Sequence, residues 1–572
     1  MVMPDQHAAA AAPTPSQNYA TGGGAPADRS LIPRWLDVFF RGLLATGAMA
    51  VIGLFAWLTI YHINDRYALW ITDGVWIGLA ERTVSGTFYP PIFDGETYGG
   101  TRYMPLPLLL HAGLARLTGD LLMGGKLASA LGMAAAAISL LALLRTVGAG
   151  WSLAMGMVAA FLATPATMLV GHAIRADAWP LALQLLAITV MVRASEASPR
   201  PGTKSARPGR GDLMPSGRTE RAKARTPSAQ DREARAPENL AAALAGVLCA
   251  AAFLFKFTSV WAPGAIGLWL LFRNWRALGA LCIAWAAVVA AGILGFNWLS
   301  DGRMFENLFS LGAAGFGSHA MRWVYFPYHF IAFVTQCGHA VWALVPLALL
   351  AIIARARWRR LGLVDVAWLC CFALIVVMFT DLGVSMNHLV DPMALTLAVL
   401  AALWGAPGAA VPAQPALRQI ITITALWAGG TQAVVLLVPD SFRALTHALD
   451  GTRDPRHTTL PLAGEIGPEA RVLFSDPSLA LSCGRRPEII DSFMLHGIAR
   501  VQPDLVAPLI RRIESREYDK IVTWFDVGQN LRKPLFFDLG PALERAIDEN
   551  YTPARRVNNI WIYERREEVP KE

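Results

Sequence analysis

A few ionisable side chains of this chain lie inside or beside apolar stretches, where a charge is costly unless it meets a partner or a cavity. Asp73 stands in Trp70-Ile71-Thr72-Asp73-Gly74, and Asp177 in Gly171-His172-Ala173-Ile174-Arg175-Ala176-Asp177. A carboxylate in such a place can take a proton from a hydroxyl in general-base chemistry. For both acids the plain alternative is a helix N-cap, since an apolar helix pattern follows each of them. The second segment is a turn between two apolar runs, so His172, Arg175 and Asp177 are expected together at one membrane depth. Lys256, in Phe253-Leu254-Phe255-Lys256-Phe257, is a lone cation among apolar neighbours. It either snorkels to the surface or holds an anion such as a phosphate.

His388 and Asp391 are three residues apart at the start of an apolar helix pattern, and so share a face. They fit a hydrogen-bonded pair better than a metal site, which needs more ligands. Asp94-Gly95-Glu96 is the nearest approach to a paired-carboxylate motif, and its Gly suggests a turn. No Asp-x-Asp, phosphate-binding Gly-rich loop or dinucleotide fingerprint is present, so nucleotide binding has no support. The six cysteines show no metal spacing.

The elements that position these groups follow from composition. The chain has 572 residues, of which 54% are hydrophobic and 16% charged, with a net charge of +8. Charged residues make up about 30% of residues 461–572 and about 13% of the remainder, where soluble proteins average about 25%. This argues for a mainly α polytopic membrane protein with a polar C-terminal unit. Apolar runs near 39–60, 123–145, 151–171, 178–195, 239–255, 257–272, 277–298, 330–353, 363–380, 388–405 and 418–438 give about eleven spans of about 20 residues.

Ten Lys and Arg residues fall in 194–238, and further basic clusters occur at Arg34/Arg41, Arg145, Arg273/Arg276, Arg355–Arg360 and Arg418. An eleven-span arrangement with the N-terminus in the cytoplasm puts all of them inside. Residues 1–34 then read as a disordered cytoplasmic tail and 194–238 as a disordered basic linker held near membrane lipid. No aromatics interleave with its cations, so nucleic acid is not an expected partner. The outside loop 61–122 contains an apolar stretch from Met104 to Thr118 that suits a helix lying at the interface. A second outside loop, 299–329, gathers Arg303, His319, Arg322, Tyr325 and His329. The unit 439–572 reads as a small α/β domain, with strands at Arg471–Asp476, Lys520–Trp524 and Ile560–Tyr563 and helices at Asp504–Ser515 and Pro541–Asn550.

The order of features has a counterpart in a known family. Asp73 after the first span, Gly74-Val75-Trp76-Ile77-Gly78-Leu79-Ala80-Glu81-Arg82, Ser85-Gly86-Thr87-Phe88-Tyr89-Pro90, Arg102-Tyr103-Met104-Pro105, Lys126-Leu127-Ala128-Ser129 and Arg175-Ala176-Asp177 follow one another. Together they resemble the bacterial GT-C glycosyltransferases, in the branch of aminoarabinose transferases, lipopolysaccharide-core galacturonosyltransferases and protein O-mannosyltransferases. The resemblance covers roughly residues 35–275. It implies a polyprenyl-phosphate-sugar donor, a lipid, glycan or protein acceptor, and a periplasmic site in the inner membrane. It implies Asp73 and Asp177 as catalytic acids and Lys256 as a contact to the donor phosphate. Arg102 and Arg175 are further candidates for that phosphate, because the leaving group gains negative charge. His172, His388, Asp391 and Glu96 are candidate substrate or metal contacts, and a divalent metal cofactor is left open. Many relatives carry Asp-Glu where this chain has Asp73-Gly74. One base and no covalent step imply inversion at the anomeric carbon. The alternatives are a transporter or flippase for a lipid-linked sugar, which usually has broken or repeated helices, and a nonenzymatic envelope-assembly subunit.

Overall fold

The computed structural model describes residues 34–63, 71–197, 236–316, 323, 326–327, 330–331, 343–357, 361–380, 384–403, 430–431, 433–450, 460–527, 539–557 and 560–567. Of the segments expected to be disordered, 1–34 and 194–238, residues 1–33 and 198–235 lie outside them, as do His319, Arg322, Tyr325 and His329, while Arg34, 194–197 and 236–238 are helix.

The membrane part begins with α1 (Arg34–Ile63), α2 (Ile71–Val84), α3 (Pro105–Thr118) and α4 (Leu121–Thr146). It continues with α5 (Trp151–Leu162), α6 (Pro165–His172), α7 (Ala178–Ala197), α8 (Ala236–Phe255), α9 (Trp261–Leu271), α10 (Trp275–Leu299) and α11 (Arg303–Phe316). Then come α12 (Leu344–Arg357), α13 (Leu363–Met378), a 3-10 turn (Met386–Leu389), α14 (Val390–Ala401), a π turn (Ala433–Leu437) and α15 (Val438–Asp450). Among the described residues five helices are long and apolar enough to cross a membrane, or six if α5 and α6 form one broken span.

The expected span at 151–171 is thus bent, by 73°. Pro165 cannot donate to the preceding turn, and Thr164 caps the new helix through Thr167 N. Within the expected span at 257–272 only Trp261–Leu271 is helix, the 11-residue α9, and the turns on either side complete the passage from Lys256 to Asn274, which bonds to Glu238 at the far end of α8. Of the expected span at 418–438, residues 418–429 lie outside the described residues.

The two ends of the bundle carry different polar groups. At one end Asn274 Nδ2 donates to Glu238 (2.7 Å), and Arg355 makes a two-pronged bond to Asp365. Lys256 follows the other end of α8, roughly 25 Å away along the helix. Exposed Ile283, Leu294 and Trp298 of α10 suit a lipid-facing surface.

The polar unit forms α16 (Leu460–Ile466), β1 (Val472–Phe474), α17 (Pro477–Ser482), α18 (Ser492–Val501), α19 (Pro503–Glu514), β2 (Lys520–Thr523), α20 (Pro541–Asn550), β3 (Tyr551–Val557) and β4 (Ile560–Arg565). Its sheet runs β1-β2-β4-β3, with only β1 and β2 parallel. Alternate strand residues serve opposite faces. Ile521 and Tyr563 pack with Leu495, Leu509 and Ile547 of the helices on one side. Val522 and Ile562 pack with Leu462 and Leu479 on the other.

This unit is not a loose appendage. Ile92 and Tyr98 of the first loop, and Leu311 of α11, belong to its core. Tyr98 pairs with Ile489 as a short parallel bridge, through Tyr98 N to Glu488 O (2.7 Å) and Ile490 N to Tyr98 O (2.9 Å). The stretch 303–316, expected to be loop, is helix α11. Its buried Asn307 accepts from Thr101 N (2.6 Å) and donates to Pro90 O (3.1 Å).

Candidate active site

Asp73 lies in the first turn of α2 and is fully enclosed. Its Oδ1 accepts from Ile174 N at 2.9 Å, so the N-cap reading gives way to a bond across 101 residues of chain. Residues 173–177 are a short loop between α6 and α7. Ser129 of α4 holds this loop from behind, accepting from Arg175 N (2.8 Å) and donating to Arg175 O (3.2 Å). The first-loop acid is therefore tied to the same few residues that carry the second acid.

Asp177 ends that loop, buried and ion-paired with Lys256. Its Oδ1 also accepts from Asn387 Nδ2 at 2.7 Å, and Lys256 Nζ lies 3.2 Å from His388 Nδ1. Burial alone would raise the Asp177 carboxyl, but Lys256 foremost, then His388 and Arg175, hold it down at about 2. It is an anion at neutral pH.

Lys256 occupies the turn between α8 and α9, its N–H closing the last turn of α8 on Ala252 O (2.9 Å), and its side chain reaches across to Asp177. His388 comes from the 3-10 turn, and Asp391 follows in the first turn of α14. Their expected shared face points toward Lys256 and Asp177, both of which act electrostatically on Asp391. Three separate apolar segments thus converge on one polar cluster.

Arg102 and Arg175 border it. Both act on His388 and on Tyr103, and Tyr103 stacks on Trp76 of α2 at 4.3 Å between ring centroids. Burial pushes the Tyr103 hydroxyl up to about 12, so it remains a hydrogen-bond donor. Arg175 Nε has no hydrogen-bond partner among the described residues.

Two candidates fall elsewhere. His172 ends α6 and faces α1, with ring centroids 5.0 Å from Phe55 and 4.9 Å from His62. The turn between α6 and α7 therefore separates it from Arg175 and Asp177, because the chain leaves the helix at Ala173 in extended conformation. Glu96 is exposed on a turn closed by Asp94, whose Oδ1 accepts from Glu96 N and Thr97 N. It is not among the groups acting on Asp177, His388 or Asp391.

Sequence reasoning also missed contributors. Lys126, buried in α4, donates to His62 O at 2.6 Å and so fastens the end of α1. Asn387 sits beside His388 in the sequence, yet a lone amide gives no signal of its partner. Among the described residues no three His, Cys, Asp or Glu side chains come together to hold a metal ion. Asp177 Oδ1 already holds an ammonium and an amide.

No protein-family model matches the chain, and no curated protein matches it. Solved structures do. ArnT from Cupriavidus metallidurans bound to undecaprenyl phosphate is similar at a TM-score of 0.54 and 13% identity, over 91% of this chain and 98% of that one. The chain has the fold of that ArnT. The apo structure of the same ArnT is similar at a TM-score of 0.52, over 91% and 97% of the two chains. An oligosaccharyltransferase from Archaeoglobus fulgidus covers 91% of this chain at a TM-score of 0.47 and 12% identity. That fold, with five helices long and apolar enough to cross a membrane among the described residues, is that of a polytopic membrane protein.

Proposed function

We propose that the chain is a glycosyltransferase that moves a sugar from a polyprenyl-phosphate donor to a lipid, glycan or protein acceptor. The observation that carries this reading is the convergence of Asp73, Asp177, Lys256 and Arg175 on the 173–177 loop at one end of a GT-C helix bundle. The undecaprenyl phosphate bound by the similar ArnT structure is of the same chemical class as the proposed donor carrier.

In this reading Asp73 takes the proton of the acceptor hydroxyl as that oxygen attacks the anomeric carbon. The bond from that carbon to the phosphate oxygen breaks, and the electron pair leaves with the polyprenyl phosphate. Lys256, Arg175 and Arg102 stabilise the charge gathering there, a contribution worth about 3 kcal/mol per well-placed donor. Asp177 keeps Lys256 charged and aimed. One base and a direct displacement give inversion at the anomeric carbon.

Orientation follows from the basic segments. The Arg355–Asp365 end adjoins the Arg-rich stretch and lies cytoplasmic by the distribution of Lys and Arg. The cluster and the sheet-bearing unit are then periplasmic, in the inner membrane. Purified protein in liposomes with donor whose sugar is labelled tests this. Label leaving the carrier for an acceptor or water supports the reading, and label crossing the bilayer still on its carrier sinks it in favour of a transporter.

A further inference from the structure

The backbone on both sides of Arg102 is pinned. Thr101 N donates to Asn307 (2.6 Å), and Tyr103 O accepts from Tyr89 Oη (2.7 Å). Where the long Arg102 side chain goes is therefore decided by what surrounds its head. The guanidinium carbon lies 4.6 Å from the centroid of the Phe493 ring. Phe493 is in the first turn of α18, next to Asp491, which is buried and caps that helix by accepting from Met494 N at 3.0 Å.

Asp491 spends Oδ1 on the cap, and Arg102 is the cation that acts on its charge. Burial pushes the Asp491 carboxyl up, while Arg102 and the amides of α18 offset this. On its other side Arg102 acts on Tyr103 and His388. The guanidinium is thus held against the C-terminal unit by the Phe493 ring, and the next residue, Tyr103, stacks on Trp76 of α2. A planar guanidinium stacked on a ring has fewer directions left for its donors.

We propose that Asp491 and Phe493 of the C-terminal unit are positioning residues that aim Arg102 at the donor's phosphate. This rests on the donor reading above. It gives the sheet-bearing unit a part in the binding site, and the bridge between Tyr98 and Ile489 fixes the two halves of that arrangement in register.

The test is a double-mutant cycle on binding of labelled undecaprenyl phosphate to the full-length protein in detergent micelles. Asp491→Asn keeps the cap oxygen, since Asn caps as well as Asp, but removes the charge. Arg102→Gln weakens binding roughly tenfold, as expected for a lost charge-assisted bond. Asp491→Asn weakens it roughly threefold or more, and in the Arg102→Gln background it changes binding by less than about twofold, as coupled residues do. Phe493→Leu behaves like Asp491→Asn and serves if that variant does not fold. Equal losses from Asp491→Asn or Phe493→Leu with and without Arg102 overturn the inference alone. A parent protein that binds no undecaprenyl phosphate overturns the donor reading with it.

Discussion

Replacing Lys256 by Met should cost stability and activity by different routes, and the two can be separated. The substitution leaves Asp177, 7% exposed, as a buried carboxylate to which, among the described residues, only Asn387 donates. Removing one partner of a buried pair costs about 3–5 kcal/mol. The Lys256 side chain is 20% exposed and the Asn387 bond survives, so the lower end, about 3 kcal/mol, is expected. Thermal unfolding in detergent, followed by a thiol-reactive dye or by light scattering, should show a melting temperature lower by several degrees. Adding Asp177→Asn removes the stranded charge while keeping an oxygen for Asn387. The double variant should then recover most of the melting temperature and none of the transfer activity, which falls by roughly a hundredfold or more when a cation at the leaving group is lost. An unchanged melting temperature in Lys256→Met, or a double variant less stable than either single one, would refute the pairing argument.

Gly74→Ala should destabilise the contact between α2 and the C-terminal unit. A Cβ there would lie 2.3 Å from Ser478 N and 2.8 Å from Pro477 C, both backbone, so the units must separate, at about 1–3 kcal/mol for overpacking; protease sensitivity of the C-terminal unit reads the loss, and unchanged sensitivity counts against the contact. Asp476, buried at that contact, is raised to about 7 by burial, with Ser478 and Trp524 opposing. Its folded value lies above its unfolded value of about 4, so the native state holds the extra proton between the two. Stability from this group is complete below pH ~4 and declines as pH rises to ~7. Asp476→Asn keeps the oxygen that accepts from Ser478 N and should raise the melting temperature at pH 8 more than at pH 5. An equal shift at both pH values would show that Asp476 is not protonated in the fold.

What was legible in the sequence is what carries an energetic signature along the chain. Asp73, Asp177 and Lys256 stand out because a charge among apolar residues must have a partner, and the structure joins the last two directly. Strands β1, β2 and β4 are short runs of buried apolar residues and were readable. Strand β3 was not: it is an edge strand with Pro553, Arg555 and Arg556, and all but its ends are exposed. Helix α11 was hidden by the Gly-rich stretch into which it runs. The bend at Thr164–Pro165 was foreshadowed by the proline, yet apolarity alone ran the span through it. Asn387, Asp491 and Phe493 could not be found, because a cap or an amide becomes part of a site only through residues far away in sequence.

The central claim rests on Asp73 as the base. Asp73→Asn is nearly isosteric and retains an oxygen for Ile174 N, so the fold and the loop it holds should be preserved. The decisive measurement is turnover of sugar-labelled polyprenyl-phosphate donor, with a membrane extract as acceptor, by the purified parent and by Asp73→Asn of matched melting temperature. Transfer by the parent and none by the variant is the expected result. Turnover of the variant at the parent's rate would contradict the assignment.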